Sequence, residues 1–424
     1  MELRAELKKT DLGVLPTNWR EIPLGKIASE IGDGIHSTPD YSSDGEYCFI
    51  NGNNLKDGKI RIFEDTKRVS LSEFRKHSKP LSDRTILMSI NGTIGNIGLY
   101  CGEKIVLGKS AAYLNVGDSC SKMFLYQALQ TQVVKRQFSD GLTGTTIKNL
   151  GLNTIRHTKI PLPPTKAEQD VIAESLNDVD TLIESLEQLI TKKRNLKQSV
   201  MQELLTGKRR LPGFSGDWST KSMGDLFSFS GGLSASRDQL STSGHCYLHY
   251  GDIHGASKTY VDVQAEGHEI PKLNVSLGAV SPHSLLKNGD VVFVDASEDD
   301  EGTSKHVVIH NESDTPFISG LHTIVAKSKT SDLDILYRRY CFQTNAVKDQ
   351  FRFYAVGTKV SGISKTNIAK IIIQVPPKYE QTAVAELLCD IDTEMTLLET
   401  KLTKTKQIKQ GMMQELLTGR IRLV

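Results

Sequence analysis

Two stretches of the chain share one spacing of apolar side chains. After Pro164 they fall at Ile172, Leu176, Val179, Ile183, Leu186 and Ile190; after Pro377 they fall at Val384, Leu388, Ile391, Met395, Leu398 and Leu402, in the same register. Alternating steps of four and three mark the seam of a coiled coil. Val200 with Leu204, and Met412 with Leu416, resume each seam after a polar interruption, Lys193 and Lys197 in the first stretch and Thr405 and Lys409 in the second. Each stretch runs for about 40 residues, so a continuous helix would be about 60 Å long. A single helix with so long an apolar stripe is not stable alone. The pattern therefore predicts two helices packed on each other, and antiparallel, since each follows a similar domain of one chain. Both stretches end in Thr-Gly, with Gly207 and Gly419 suited to the left-handed position after a helix. The basic residues beyond, Lys208, Arg209 and Arg210, then Arg420 and Arg422, suit the negative end of the helix dipole.

The likeness extends beyond the seams. MQELLTG at 201–207 recurs at 413–419, Glu168-Gln169 matches Glu380-Gln381, and Asp178, Asp180 and Thr181 match Asp390, Asp392 and Thr393. Upstream, TGTTIKNLGLNTIRHTKIPLPP at 143–164 parallels VGTKVSGISKTNIAKIIIQVPP at 356–377, and LQTQVVKRQF at 129–138 parallels FQTNAVKDQF at 342–351. NWREIPLGKI at 18–27 parallels DWSTKSMGDL at 217–226. A fixed-offset repeat is the signature of one unit written twice. It divides the chain into a first variable domain at 1–163, a spacer helix at 164–207, a second variable domain at 208–375 and a second spacer helix at 376–424.

Both variable domains read as α+β with short strands. The first has β-type runs at 47–51, 85–90, 97–100, 105–107 and 112–116; the second has them at 246–250, 290–295, 306–310 and 322–326. One amphipathic helix is expected in each, near 122–138 and 332–351. The loops between are polar and differ between the copies. In the first, His36, Ser37, Thr38, Asn91, Thr93, Lys109, Thr145, Thr146 and Lys148 could address base edges or phosphates. In the second, the corresponding candidates are Arg237, His249, Lys305, His322, Thr358, Lys359 and Lys365. A shared frame with two dissimilar sets of loops is what two readers of different targets require.

Charge adds a constraint. The 424 residues hold 52 Lys and Arg against 50 Asp and Glu, a formal net charge of +2. Any nucleic-acid contact must rest on local groups rather than on a basic chain. The six cysteines form no CxxC pair. Residues 1–11 alternate acidic and basic side chains without the apolar core of a leader, and no apolar run reaches the roughly 20 residues of a membrane span. A cytoplasmic protein is expected.

Catalytic signatures are missing. Gly108-Lys109-Ser110 resembles the end of a P-loop, but five residues separate it from Gly102 where four are required, so it reads as a strand turn. No GxGxxG opens a helix, and Pro163-Pro164 and Pro376-Pro377 lack the flanks of an amino-methyltransferase motif. Asp40, Asp65 and Lys67 fit a loose metal-dependent nuclease pattern. The acidic run at 298–301 reads as a solvated hairpin tip, and His245, Cys246, His249 and His254 match no zinc spacing. No catalytic or metal-binding residue is assigned.

The paired starts (Trp19 to Gly25, Trp218 to Gly224), the paired GT…I…PP ends and the duplicated EQ…MQELLTG helices resemble the specificity subunit of type I restriction–modification systems, over essentially the whole chain. That resemblance implies two target recognition domains with short-stranded sheets, separated by two helices packed as an antiparallel coiled coil with pseudo-two-fold symmetry. It implies a bipartite site on double-stranded DNA, two methyltransferase subunits and restriction/translocase subunits as partners. S-adenosylmethionine, ATP and magnesium would sit on those partners and none on this chain. A stand-alone DNA-binding scaffold or repressor, and a metal-dependent nuclease, are the alternative readings.

Overall fold

A computed structural model describes residues 6–144, 146, 148–256, 258–298, 302–357 and 360–423. The chain forms two compact units, 1–187 with 400–424, and 188–399. Each unit thus contains one variable domain and a part of both long helices. Those helices run over Lys166–Leu204 and Lys378–Leu416, 39 residues each. Gly207 and Gly419 take the positive φ expected after a helix, 71° and 68°.

In the first unit the main sheet has the order Ile97–Leu99, Thr85–Ser89, Ala111–Val116, Ala28–Asp33, all antiparallel. Beside it Tyr47–Ile50 runs parallel to Ile105–Leu107 and antiparallel to Arg68–Val69. All residues of Thr85–Ser89 and Ala111–Val116 are buried. A strand buried on both faces reads as a continuous apolar run rather than an alternating one. Trp19, Phe124, Leu125, Ile172 and Leu176 extend this core to the start of the first long helix, and Leu416 and Leu417 extend it to the end of the second.

The second unit repeats the order as His306–His310, Val291–Val294, Thr323–Ser328, Phe227–Gly231, and adds Tyr260–Asp262 parallel to His306–His310. Its parallel pair is His245–Leu248 with Phe317–Ser319. Met201 and Leu204 from the first long helix, Leu205 just after it, and Val384, Ala385 and Leu388 from the second join its core.

Three expectations are corrected. The helix near 122–138 is two, Lys122–Leu129 and Gln132–Asp140, because Thr131 caps the second through its side chain. The helix near 332–351 is likewise Arg338–Cys341 and Asn345–Tyr354, with Thr344 as the cap. The run at 246–250 ends as a strand at Leu248, because His249 caps a short helix over Tyr250–Gly255. The strands at 28–33 and 227–231, with their mixed composition, carry no clear alternation and were not expected.

The twelve seam residues are all buried or half-buried. Ile172, Leu176, Leu186, Ile190, Val384 and Leu388 belong to the buried set, and Val179, Ile183, Ile391, Met395, Leu398 and Leu402 to the half-buried one. Within each unit the helices are antiparallel: Asp180 meets Lys409 at 2.6 Å and Glu187 meets Lys406 at 2.6 Å in the first. In the second, Lys193 meets Glu394 at 2.7 Å and Lys197 meets Asp392 at 2.5 Å. The lysines that interrupt the apolar seam are therefore paired across it.

The basic residues after each helix do more than face its dipole. Arg210 forms a bidentate pair with Glu380, whose other oxygen bond comes from Trp218 Nε1 at 3.0 Å. Arg422 pairs with Glu168 at 2.7 and 2.8 Å, and Trp19 Nε1 donates to the same carboxylate at 3.3 Å. Both glutamates are only 1 % exposed. The neighbouring Gln169 and Gln381 accept from the backbone N–H of Ser121 and Asp334, each at 2.8 Å. The repeated Glu-Gln pair is thus a clasp between a long helix and its variable domain, built twice.

Candidate nucleic-acid interface

The parallel strand pair fixes a residue-by-residue correspondence between the units. Cys48 pairs with Ile105 as Cys246 pairs with Phe317. Ile90 N–H donates to Ser110 as Asp295 N–H donates to His322, and Leu150 N–H donates to Ile90 as Ile363 N–H donates to Asp295. Asn51 and His249 both cap a helical turn with a reciprocal bond three residues on, to Asn54 and Asp252. At matched backbone positions stand Asn51 and His249, Ile90 and Asp295, and Ser110 and His322. The frame is common and the chemistry at its rim is not.

In the first unit the polar loops converge at one end of the sheet. Ile35 N–H donates to Leu107 at 2.8 Å, which places His36, Ser37 and Thr38 beside the Lys109 turn. His36 holds Asp33 at 2.8 Å. Asn91 donates through Nδ2 to the Lys109 carbonyl at 3.4 Å and bridges to Asn149. That brings in the hairpin carrying Thr146 and Lys148, both exposed, as is Thr93. Thr145 lies outside the described residues. His36, Ser37, Thr38, Asn91, Lys109, Thr146 and Lys148 thus share one rim.

The second unit places its candidates less uniformly. Leu233 N–H bonds Ser319 at 2.7 Å, the counterpart of Ile35 on Leu107. Arg237 is exposed and lies 3.7 Å from Asp252. His322 is exposed and holds Asp295 at 3.2 Å. His249, by contrast, is only 6 % exposed and its Nδ1 accepts from Gly251 N–H at 3.1 Å. Burial, then the nearby Arg237, hold its pKa below the usual histidine value. It supports the rim rather than offering its ring. Lys305 is half-buried, with Nζ 3.4 Å from the His254 carbonyl. Lys365 is exposed beside Gly231. Thr358 and Lys359 lie outside the described residues, but Ser361–Gly362 pairs with Ala296–Ser297, next to Asp295.

Several rim residues escape a reading of the sequence. Tyr250 packs on His249 at 4.4 Å, and edge-on to His322 at 5.4 Å. Asp33 and Asp295 orient the two exposed histidines. None belongs to a spacing motif; only the repeat, aligned through the strands, picks them out. Of the nuclease candidates, Lys67 lies over the Tyr41 ring at 4.4 Å and Asp40 N–H donates to Glu73 at 3.2 Å. Among the described residues no helix is long and apolar enough to cross a membrane.

Residues 16–193 and 215–410 each match the type I restriction modification DNA specificity domain. The chain belongs to that family. The duplicated match coincides with the duplicated strand order, so each variable domain, with most of the long helix that follows it, matches one copy of the specificity domain. The chain is 23% identical to the type I restriction enzyme MjaVIII specificity subunit of Methanocaldococcus jannaschii, over 96% of this chain and 94% of that protein. It is also similar to the crystal structure of a type I restriction-modification S subunit from M. genitalium, with TM-score 0.57 at 16% identity, covering 98% of this chain and 99% of the other. A structure from work on assembly and conformational transition of the type I system aligns with TM-score 0.53 at 14% identity, covering 96% and 99%. At these identities the structural likeness concerns the fold.

Proposed function

We propose that this specificity subunit reads a bipartite site on double-stranded DNA, one half-site per variable domain, for a complex with two methyltransferase subunits and restriction/translocase subunits. One observation carries the reading: two rims with the same strand pairing and different side chains at matched positions. Phosphate contacts position such a protein, and groups at base edges give it a sequence preference. With a net charge of +2, the chain depends on partner subunits for much of its phosphate contact. S-adenosylmethionine, ATP and magnesium are held by those partners, and this chain performs no chemistry itself. Leu189 and Leu196, seven residues apart on the part of the first long helix that belongs to the second unit, are exposed and offer apolar surface for partner docking.

The test is a domain exchange. Residues 17–150 are replaced by those of another family member, and methylated adenines are mapped across a genome with the matched methyltransferase. One half-site should change and the other should stay. A change in both halves together would reject the assignment of one reader to each half.

A further inference from the structure

His322 stands in a backbone conformation that its counterpart avoids. Its φ is 56°, whereas Ser110, at the matched turn, is not among the non-glycine residues of positive φ, which are Asp57, Asp314 and His322 among the described ones. Left-handed backbone is uncommon outside glycine, although histidine adopts it more readily than most side chains, and it asks that the surroundings hold the ring in place. Here they do. The ring faces the edge of Tyr250 at 5.4 Å with an interplanar angle of 87°, and Tyr250 is itself packed against His249 and His254. Nδ1 lies 3.2 Å from Asp295 Oδ1. The side chain is nonetheless 50% exposed. A ring fixed on one side and open on the other is pre-organised for contact.

We propose that His322 is a specificity-determining residue of the second variable domain, reading the exocyclic amino group of an adenine or cytosine in the major groove, with Asp295 as its positioning residue. The chemistry selects this ligand. A carboxylate accepts only, so Nδ1 carries the proton and donates to Asp295, and in that tautomer Nε2 is the acceptor. A DNA phosphate offers no donor and is repelled by the Asp295 carboxylate beside the ring. The amino groups of adenine and cytosine are the donors that the major groove displays. The matched Ser110 is itself engaged, donating to Asn51 at 2.9 Å and accepting from Gly52 N–H at 2.9 Å, so the first domain reads through other residues.

This inference rests on the second domain reading one half-site, and the experiment separates the two claims. The full subunit, in complex with its methyltransferase, is compared as wild type, His322→Gly, Asp295→Ala, and a block exchange of residues 219–375. The readouts are the methylated motif and the melting temperature. Glycine relieves the left-handed turn, so His322→Gly should melt no lower than wild type. It should lower the preference for the correct base at one position of one half-site by about tenfold or more. Asp295→Ala should relax the same position, which a purely structural residue would not do. An unchanged motif in His322→Gly, or an equal loss at every position, would overturn the proposal while a block exchange that alters one half-site keeps the domain assignment. If the block exchange leaves that half-site unchanged, the assignment and the proposal fall together.

Discussion

The two units solve one folding problem with different side chains, and the differences fall in two places. At the rim they are polar, with His322 exposed and Ser110 half-buried on its bonds to Asn51 and Gly52. In the core the frame tolerates substitution only at a cost. Ile97 and His306 occupy the same position, each opposite the matched residue of the neighbouring strand, Met88 and Phe293. Ile97 is ordinary core. His306 is buried between Phe293 and Phe342, its Nδ1 3.3 Å from the Ser304 carbonyl and its Nε2 without a hydrogen-bond partner. A frame held by backbone register and shared clasps can carry such a residue in one copy and not in the other.

The shared clasps are where the comparison should show the largest effect. Glu168→Ala strands Arg422 and Trp19, and Glu380→Ala strands Arg210 and Trp218. Removing the carboxylate leaves an indole N–H without its acceptor and a partly exposed guanidinium without its partner, a larger loss than that of an exposed ion pair. Each variant should lower the stability of its own unit by a similar amount and spare the other, as read by hydrogen exchange resolved along the sequence. Unequal costs would show that the two clasps, though alike in geometry, do not support their units alike.

Acid should separate the units next. Burial pushes the His306 pKa down to about 4, below the usual histidine value of about 6.5. The unfolded chain therefore binds this proton more readily than the folded one. The stability of the neutral form is complete above about pH 6.5 and is lost as pH falls toward 4, by at most about 3 kcal/mol. His249 acts in the same direction. His310 acts in the opposite one, because its bond to Asp262 raises its pKa, but it is largely exposed and screened. Among the described residues the first unit has no buried histidine. Between pH 6.5 and 4.5 the second unit should lose protection faster than the first, and His306→Ile should remove most of the difference. Parallel loss in both units of that variant and of wild type would assign the acid response elsewhere.

What the sequence exposed was whatever repeats at fixed spacing. The seam of Ile172 to Ile190 and Val384 to Leu402 follows from heptads, and Gly207 and Gly419 from their place after them. The roles of Glu168 and Glu380 were hidden although their repetition was plain, because their partners Arg422 and Arg210 lie 254 and 170 residues away. The helix breaks at Thr131 and Thr344 were hidden because apolar periodicity runs through a cap. The rim was hardest: His249 and His322 could be named as polar candidates, but Tyr250 and Asp295, which surround His322, are distant in the chain, and the burial of His249 leaves no mark in the sequence.

The smallest expected effect concerns the charged pairs across the helix seam. Lys197 with Asp392, and Lys409 with Asp180, occupy corresponding places in the two units, with side chains between 16% and 28% exposed. Tyr340 donates to Asp392 at 2.8 Å where Gln127 donates to Asp180 at 2.9 Å. Partly buried pairs gain from reduced screening and lose from desolvation, so the net coupling should be about 1 kcal/mol each. Their larger consequence is for register, since a shifted helix would bury a lysine against apolar side chains. Lys197→Met should therefore change stability little or even raise it, while leaving Asp392 its bond from Tyr340. Lys197→Asp should be worse than Lys197→Met, because it places two carboxylates together, and adding Asp392→Lys should recover most of the loss. A double-mutant cycle on thermal unfolding measures the coupling. Repeating it on Lys409 and Asp180 tests whether the first unit, whose aspartate is held by an amide rather than a phenol, relies on its pair to the same degree. A coupling near zero in both units would leave the lysines as tolerated interruptions, and the apolar residues alone would then set the register.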